Sequence, residues 1–416
     1  MYWSVLATSA LALTLPIALP AWSATDAELA EIRKQIEELK AQYESRIRAL
    51  EERLKDAESR PAAVTPVATG VQSSSTPSPS AFNPSISAIL SGTFSHLKRD
   101  PADFAIAGFP RGGEIGPGKR GFNLGESELV FSTNVDPHFA GKLTLALTPE
   151  NEVAVEEAYG QWMTAPFGLS PKFGRFLSGI GYLNEQHAHA WDFVDAPLAY
   201  QAFLGRQYAN DGLQVRWLAP IEHFLELGGE VGNGANFPGN ERSTNGAGSA
   251  AVFAHTGGDA GVSNSWRAGL SWLASRAQDR DGFTGKSRVG IADLVWKYAP
   301  NGNSRETNFK LQGEYVWRRE RGDVDPAFDA RATGWYLQGV YQFLPEWRVG
   351  ARYERLDPGV IAFEPKRASV MLDYNPSEFS RIRLQFARSE TVAGMSGNEL
   401  FLQYILSLGA HGAHMY

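Results

Sequence analysis

Residues Asn184 to Asp195 read NEQHAHAWDFVD. The stretch sets His187 and His189 two apart, with Asp192 and Asp195 close behind, in a chain that has only 8 histidines. Imidazole nitrogen with carboxylate oxygen is donor chemistry for a borderline cation such as zinc, and an oxygen-only set would suit calcium or magnesium instead. The spacing permits a metal ligand role for His187, His189, Asp192 and Asp195 but matches no established zinc motif. The competing reading is a structured loop in which these groups bond to one another and to backbone while Tyr182, Trp191 and Phe193 pack it down. His411 and His414, in the tail GAHGAHMY, form a second histidine pair and a secondary metal candidate, though the stronger reading of the tail is that its terminal aromatic resembles an assembly signal. No phosphate loop, nucleophile elbow or HExxH helix is present, so nothing marks an enzyme, and a rim hydrolase is the weakest reading. Which chemistry applies depends on what positions the histidines.

The first residues, 1–24, form an apolar run from about Val5 to Leu19 ending in small residues at Ala24, the pattern of an export signal. A membrane anchor is the alternative, but the run is short and broken by Pro16 and Pro20. Cysteine is absent, so an exported chain of this kind relies on its core, its backbone lattice or its oligomer instead of disulfides. With 46 acidic against 39 basic residues, the chain lacks the basic excess of a nucleic-acid binder. Glycine (42) and aromatics (12%) are abundant, which points to β-structure with a lipid-facing surface.

Residues 25–60 carry a different signal. Leu29, Ile32, Ile36, Leu39 and Tyr43 are spaced 3, 4, 3, 4; a four-residue step then reaches Ile47, and Leu50, Leu54 and Ala57 follow. This is an a/d stripe with one stutter. A helix so charged on its other faces needs a partner to bury the stripe. The expectation is a periplasmic, homo-oligomeric coiled coil, with isoleucine at both core positions leaning toward three strands; a lone amphipathic helix is the alternative. Residues 61–84, rich in Pro, Ser and Thr, read as a linker.

From residue 85 to 416 the period is two. Trp335, Leu337, Tyr341 and Phe343 oppose Tyr336, Gln338 and Gln342; Val349, Ala351 and Tyr353 oppose Arg348, Arg352 and Glu354; Ile382, Leu384 and Phe386 oppose Arg381, Arg383 and Gln385. A soluble sandwich also alternates. Full charges in mid-strand, Trp and Tyr near strand ends, and alternation of short turns with longer loops favour an all-β transmembrane barrel of about sixteen antiparallel strands, with fourteen or eighteen also open. The strands fall near 86–97, 122–134, 138–148, 151–164, 170–180, 211–219, 222–233, 248–257, 263–274, 286–298, 305–318, 330–343, 346–355, 366–374, 379–388 and 398–414. This parity puts NEQHAHAWDFVD in a long extracellular-side loop after the fifth strand, able to fold into the mouth as a constriction, with His411 and His414 at the other end. It turns Arg216, Arg267, Lys297, Lys310, Arg348, Arg352, Arg381 and Arg383 inward, together with Glu126, Glu128, Glu226, Asp293, Glu314 and Glu354. Whether they form a one-sign ladder, a transverse field or a solvated lining is left open by the sequence.

The coiled coil, linker and barrel together resemble trimeric porins of the phosphate-selective and dicarboxylate-uptake kind, with NPSEFSRIRLQFARSE (375–390) similar to a late-barrel motif of that group. The stretches GRFLSGIGYLNEQHAHAWDFVDAPLAY (174–200), DGLQVRWLAP (211–220) and LQYILSLGAHGAHMY (402–416) resemble more closely a group of zinc-regulated outer-membrane proteins, sometimes labelled TonB-dependent receptors. A TonB-dependent receptor is a larger barrel with a globular plug, which this chain is too short to supply. The resemblance implies an outer-membrane location and a link to zinc supply.

Two functions follow as expectations. One is a passive, trimeric outer-membrane channel for small polar solutes or ions, embedded in outer-membrane lipid, inserted by the barrel assembly machinery and requiring no cofactor. The other is a zinc-binding protein of metal acquisition whose barrel is an anchor or gated channel.

Overall fold

The computed structural model describes residues 84–112, 115–148, 152–242, 245–322 and 329–409. The leader, the coiled coil with its core residues Leu29 to Leu54, nearly all of the linker, and His411 and His414 lie outside the described residues.

The described chain is a closed antiparallel barrel of 16 strands. Its segments are β1 (Ser85–Leu97), β2 (Gly121–Leu124), β3 (Ser127–Asn134), β4 (Phe139–Leu147), β5 (Val153–Trp162), β6 (Leu169–Leu177), β7 (Ala209–Leu218), β8 (Phe224–Gly232) and β9 (Ser249–Asp259). They continue with β10 (Asn264–Arg280), β11 (Phe283–Tyr298), β12 (Asn308–Gly322), β13 (Asp329–Leu344), β14 (Trp347–Asp357), β15 (Lys366–Ser377), β16 (Ser380–Val392) and β17 (Met395–Gly409). β2 and β3 are one strand interrupted at Gly125 and Glu126, since both pair with β1. Each strand pairs with the next, and β1 closes the ring on β17 from Ser87↔Gly409 to Leu97↔Glu399. Closure leaves no free edge, which is how a sheet satisfies its backbone polar groups in hydrocarbon.

The strand positions agree with the period-two reading. The difference lies in connections expected to be longer loops near 275–285 and 389–397. There β10 and β11, and β16 and β17, run on to two-residue turns. Asp281 and Gly282 both have positive φ (50° and 79°), the conformation of a tight hairpin turn for which Asp-Gly is well suited. Elongated hairpins thus stand on the side where loops were expected.

Burial is inverted relative to a water-soluble protein. Leu270 is 59% and Leu384 47% exposed, whereas Glu354 is 0% and Arg383 1% exposed. Exposed Leu, Val, Phe and Tyr run around the wall; an apolar surface this extensive is suited to lipid. Aromatic contacts cluster towards both strand ends. Trp296 stacks with Tyr298 and meets Phe309 at 5.9 Å, and Trp347 meets Tyr374 at 4.7 Å. Nearer the other rim, Trp317 contacts Trp272 and Tyr315, and Trp335 contacts Tyr353. Two such girdles frame a membrane-spanning band.

The interior holds a hydrophobic core as well as charges. Val289, Ile291, Val316, Leu273, Tyr336 and Leu356 point inward from the wall onto buried side chains of the connection at 178–208, with Ile106 and Phe109 from the connection at 98–120. One helix, α1 (Leu198–Leu204), sits in this core with all of its residues buried. It ends at Gly205 in the left-handed conformation, a common helix C-terminus. Its approach to β13 depends on Gly334, where a Cβ would lie 2.9 Å from the Phe203 ring and 2.4 Å from Leu356.

A lipid-facing wall carries a testable cost. Leu384→Arg, on the exposed face of β16, is expected to destabilise the barrel by about 2–4 kcal/mol in urea unfolding from lipid vesicles. A cost below about 0.5 kcal/mol, ordinary for a water-exposed position, would show that this face does not meet lipid.

Candidate functional site

The connection at 178–208 folds into the barrel, and the inward-facing charges hold it there. A loop drawn into a lumen must find partners for its backbone donors and for every charge it meets. Asn184 ties the two ends of the loop together: its side-chain amide donates to the carbonyls of Ser178 (2.9 Å) and Tyr208 (2.8 Å), and its carbonyl accepts from Tyr208 N at 2.7 Å. Glu230 of β8 accepts from Ser178 Oγ (2.7 Å) and Gly179 N (2.8 Å). Glu314 of β12 accepts four bonds, from the backbone of Tyr182 and Leu183 and from the hydroxyls of Tyr200 and Tyr336. Glu185 pairs with Arg216 and Arg267, and Glu226 with Arg216 and His255.

Further along, the loop meets a basic region on β12 and β14–β16. Asp192 pairs with Lys310 and with Arg348 (3.3 Å). Asp195 pairs with Arg352 (2.7 Å) and Arg367 (2.6 Å), which also bind Glu354. Leu198 N, at the start of α1, donates to Glu354. Arg383 is held by Asp373 (2.8 Å) and donates to the carbonyl of Trp191, and Arg381 reaches the carbonyls of His189 and Trp191. Burial alone would raise the carboxyl pKa values of Asp192 and Asp195, but Lys310 with Arg348, and Arg367 with Arg352, outweigh it and hold both below the usual range. Their contribution to the docked loop is therefore present above the ordinary Asp pKa and lost only as pH falls through the depressed values.

The histidines face elsewhere. His187 and His189 stack at 5.7 Å between ring centroids against acidic strands. His187 Nδ1 lies 3.1 Å from Glu156 and 3.4 Å from Glu128, and Nε2 lies 3.0 Å from Glu157. His189 Nδ1 lies 2.7 Å from the other oxygen of Glu128. Lys142 of β4 joins Glu157 at 2.6 Å, and Arg206 pairs with Glu126. Successive residues of a strand face opposite sides, yet both Glu156 and Glu157 reach His187. The cause is a β-bulge: Thr144 pairs with Glu157 and Leu145 with Val155, leaving Glu156 as the extra residue. Burial would lower the His187 pKa; the charges and hydrogen bonds of Glu156, Glu157 and Glu128 outweigh it and hold it well above the usual value.

Of the four ligands offered by the sequence, the fold therefore brings His187 and His189 together and sends Asp192 and Asp195 to basic partners. Glu128, Glu156 and His187 can each offer one ligand atom, all within 4.8 Å of one another, so this trio could chelate a metal. Glu156, Glu157, Lys142, Arg367 and Asp373 were not singled out from the sequence. Arg367 and Asp373 carried the inward parity of β15; Glu156 carried no signal, because a bulge cannot be read from alternation. Asp293 is inward and buried, with neither carboxylate oxygen hydrogen-bonded. Of the charges expected to face inward, Arg216, Arg267, Lys310, Arg348 and Arg352 pair with carboxylates of the loop.

Beyond the loop a cavity of about 990 Å³ remains. It reaches from the histidine cluster to the turns at Asp259–Ser265 and Ala299–Ser304, and Lys142, Lys172, Lys297, Lys310, Arg216 and Arg348 line it among others. Lys172 sits 4.3 Å over the ring of Tyr159.

No family model matches the sequence. A protein of Aquifex aeolicus (strain VF5), described as uncharacterized, is 33% identical over 383 residues, covering 81% of this chain and 80% of that one. Among solved structures, a loop-deletion mutant of OmpT, an outer membrane protein of Vibrio cholerae, matches with a TM-score of 0.52 at 12% identity, covering 78% of this chain and 99% of that one. The outer membrane channel DcaP of Acinetobacter baumannii gives 0.51 at 14% identity, covering 78% and 97%. An anion-selective porin from Comamonas acidovorans gives 0.51 at 11% identity, covering 78% and 99%. These likenesses are of fold.

Removing Asp192 and Asp195 tests the anchoring. Asp192→Ala with Asp195→Ala leaves buried guanidinium and ammonium groups short of partners, and breaking buried pairs typically costs about 3–5 kcal/mol. The expected outcome is a barrel that still forms but whose 178–208 segment becomes susceptible to limited proteolysis; protection equal to the native protein would show that the apolar core alone holds the loop.

Proposed function

The chain belongs to the same family as the uncharacterized Aquifex aeolicus protein, and we propose that it is an outer-membrane channel for passive uptake of small polar solutes or ions, narrowed by its own loop. The observation that carries this reading is the inverted barrel: an apolar exterior, a charged interior, and a segment folded inward across the lumen. Its fold likeness to a protein described as an outer membrane channel and to one described as an anion-selective porin supports it. The mechanism is diffusion through the wet cavity and past residues 182–192, where Lys310, Arg348, Glu185 and the histidine cluster set the local field. In this reading residues 1–24 direct export, the barrel assembly machinery inserts the strands, and no cofactor or nucleic acid takes part. Residues 25–60 join three copies in the periplasm, and a Vibrio cholerae neighbour described in a trimer form is in keeping with that.

Planar-bilayer recording tests it. The native protein should give small steps in groups of three, and replacing residues 183–205 by a short linker should raise the step size several-fold. Silence from both forms would remove the channel reading. Deleting residues 25–60 should convert the trimer to monomer in detergent; an intact trimer would make the coiled coil a spacer.

A second reading is a zinc-regulated protein of metal acquisition with the barrel as anchor or gated channel. The observation favouring it is His187 held beside three carboxylates. A non-conducting native barrel that retains zinc would favour it over the first.

A further inference from the structure

We infer that Glu128, Glu156 and His187 form a site for one divalent transition-metal cation, supported by an outer shell of Glu157 and His189 and reached from the lumen cavity. Any physiological role for the site rests on the metal-acquisition reading; the binding itself does not depend on whether the barrel conducts.

The geometry is close to what such an ion requires. Bonds of about 2.0–2.1 Å in a tetrahedral site place neighbouring ligand atoms about 3.3–3.4 Å apart. His187 Nδ1 is 3.1 Å from Glu156 Oε2 and 3.4 Å from Glu128 Oε2, so these two separations already match a tetrahedral site, and the three ligand atoms all lie within 4.8 Å of one another. Glu128 is nearly fully buried, and its Oε2 accepts no hydrogen bond. Its other oxygen is taken by His189 at 2.7 Å, which leaves Oε2 aimed at His187 and free to ligate.

The outer shell is already in place. A metal-bound imidazole usually donates its second N–H to a carboxylate, which fixes the ring and raises its basicity. With Nδ1 on the ion, Nε2 faces Glu157 at 3.0 Å. Three protein ligands leave a fourth position for water or a second ligand from the cavity, which Glu128, His187 and His189 all line. One imidazole with two carboxylates suits zinc, cobalt or manganese better than calcium, which prefers oxygen alone.

Fixed charge points the same way. Glu126, Glu128, Glu156 and Glu157 bring four carboxylates to this wall. Lys142 and Arg206 supply two fixed cations, on Glu157 and Glu126. Once an ion has displaced the His187 proton, these carboxylates outnumber the two cations, so the wall favours a cation there. The β5 bulge creates this excess by turning Glu156 inward beside Glu157.

The test uses the full chain in detergent, stripped with a chelator and titrated with Co²⁺, read by equilibrium dialysis and by visible d–d absorption. One ion per chain is expected. Glu128→Gln and His187→Gln should each weaken binding at least 100-fold, and Glu157→Gln about 10–100-fold through the outer shell. Glu346→Gln, on the exposed turn between β13 and β14, should leave affinity unchanged. Lys142→Met should tighten binding, a gain that a misfolded barrel would not give. The inference is overturned if the native protein takes up no cobalt at millimolar concentration, if the Glu128→Gln, His187→Gln double variant binds as the native protein does, or if Lys142→Met weakens binding. Channel steps surviving in a variant that has lost cobalt would leave the channel reading intact, so the two ideas fail separately.

Discussion

The structure depends on one constraint: charge and backbone brought into the lumen must be answered there. The segment 178–208 leaves the rim and crosses the inside of the barrel, where bulk water no longer serves all of its donors. Glu230, Glu314 and Glu354 take its N–H groups, and Arg367, Arg381 and Arg383 take its carbonyls. The wall charges are therefore committed in large part to holding a folded loop, and the field that a solute meets is what remains after that pairing. Asp195, Arg352, Arg367 and Glu354 can stay buried because each is paired with two others of the group.

A second, apolar layer works with the first. Lumen-facing Val289, Ile291, Val316 and Leu356 give α1 and Trp191 a surface to bury against, worth about 1.5–3 kcal/mol for each large side chain fully buried. The barrel thus has an apolar exterior, a small core inside one half, and a cavity bordered by charged side chains towards the turns at 259–265 and 299–304. Position along the strand decides whether an inward residue meets the core or the cavity.

The same loop joins two electrostatically different walls. His187 and His189 lie against carboxylates of β3 and β5, while Asp192 and Asp195, a few residues on, lie against arginines and lysine of β12, β14 and β15. Residues adjacent in sequence and similar in ligand chemistry are separated by what the walls offer. The local excess on the acidic side comes from a single inserted residue in β5.

Much of this was legible in the sequence. Alternation determined the strands, the inward parity of Arg348, Arg352, Arg381, Arg383, Glu314 and Glu354, and the outward parity of Leu384 and Tyr353, because a strand has period two and lipid accepts only one kind of face. Loop length marked 178–208 as special. The tertiary structure alone decided that the loop turns inward, that Asp192 and Asp195 part from the histidines, and that Glu128, Glu156 and Glu157 converge on His187. The physical reason is that pairing across a lumen joins residues far apart in the chain, such as Asp195 with Arg352 and His189 with Glu128, and that a bulge reverses facing without leaving a mark in the pattern that predicts it.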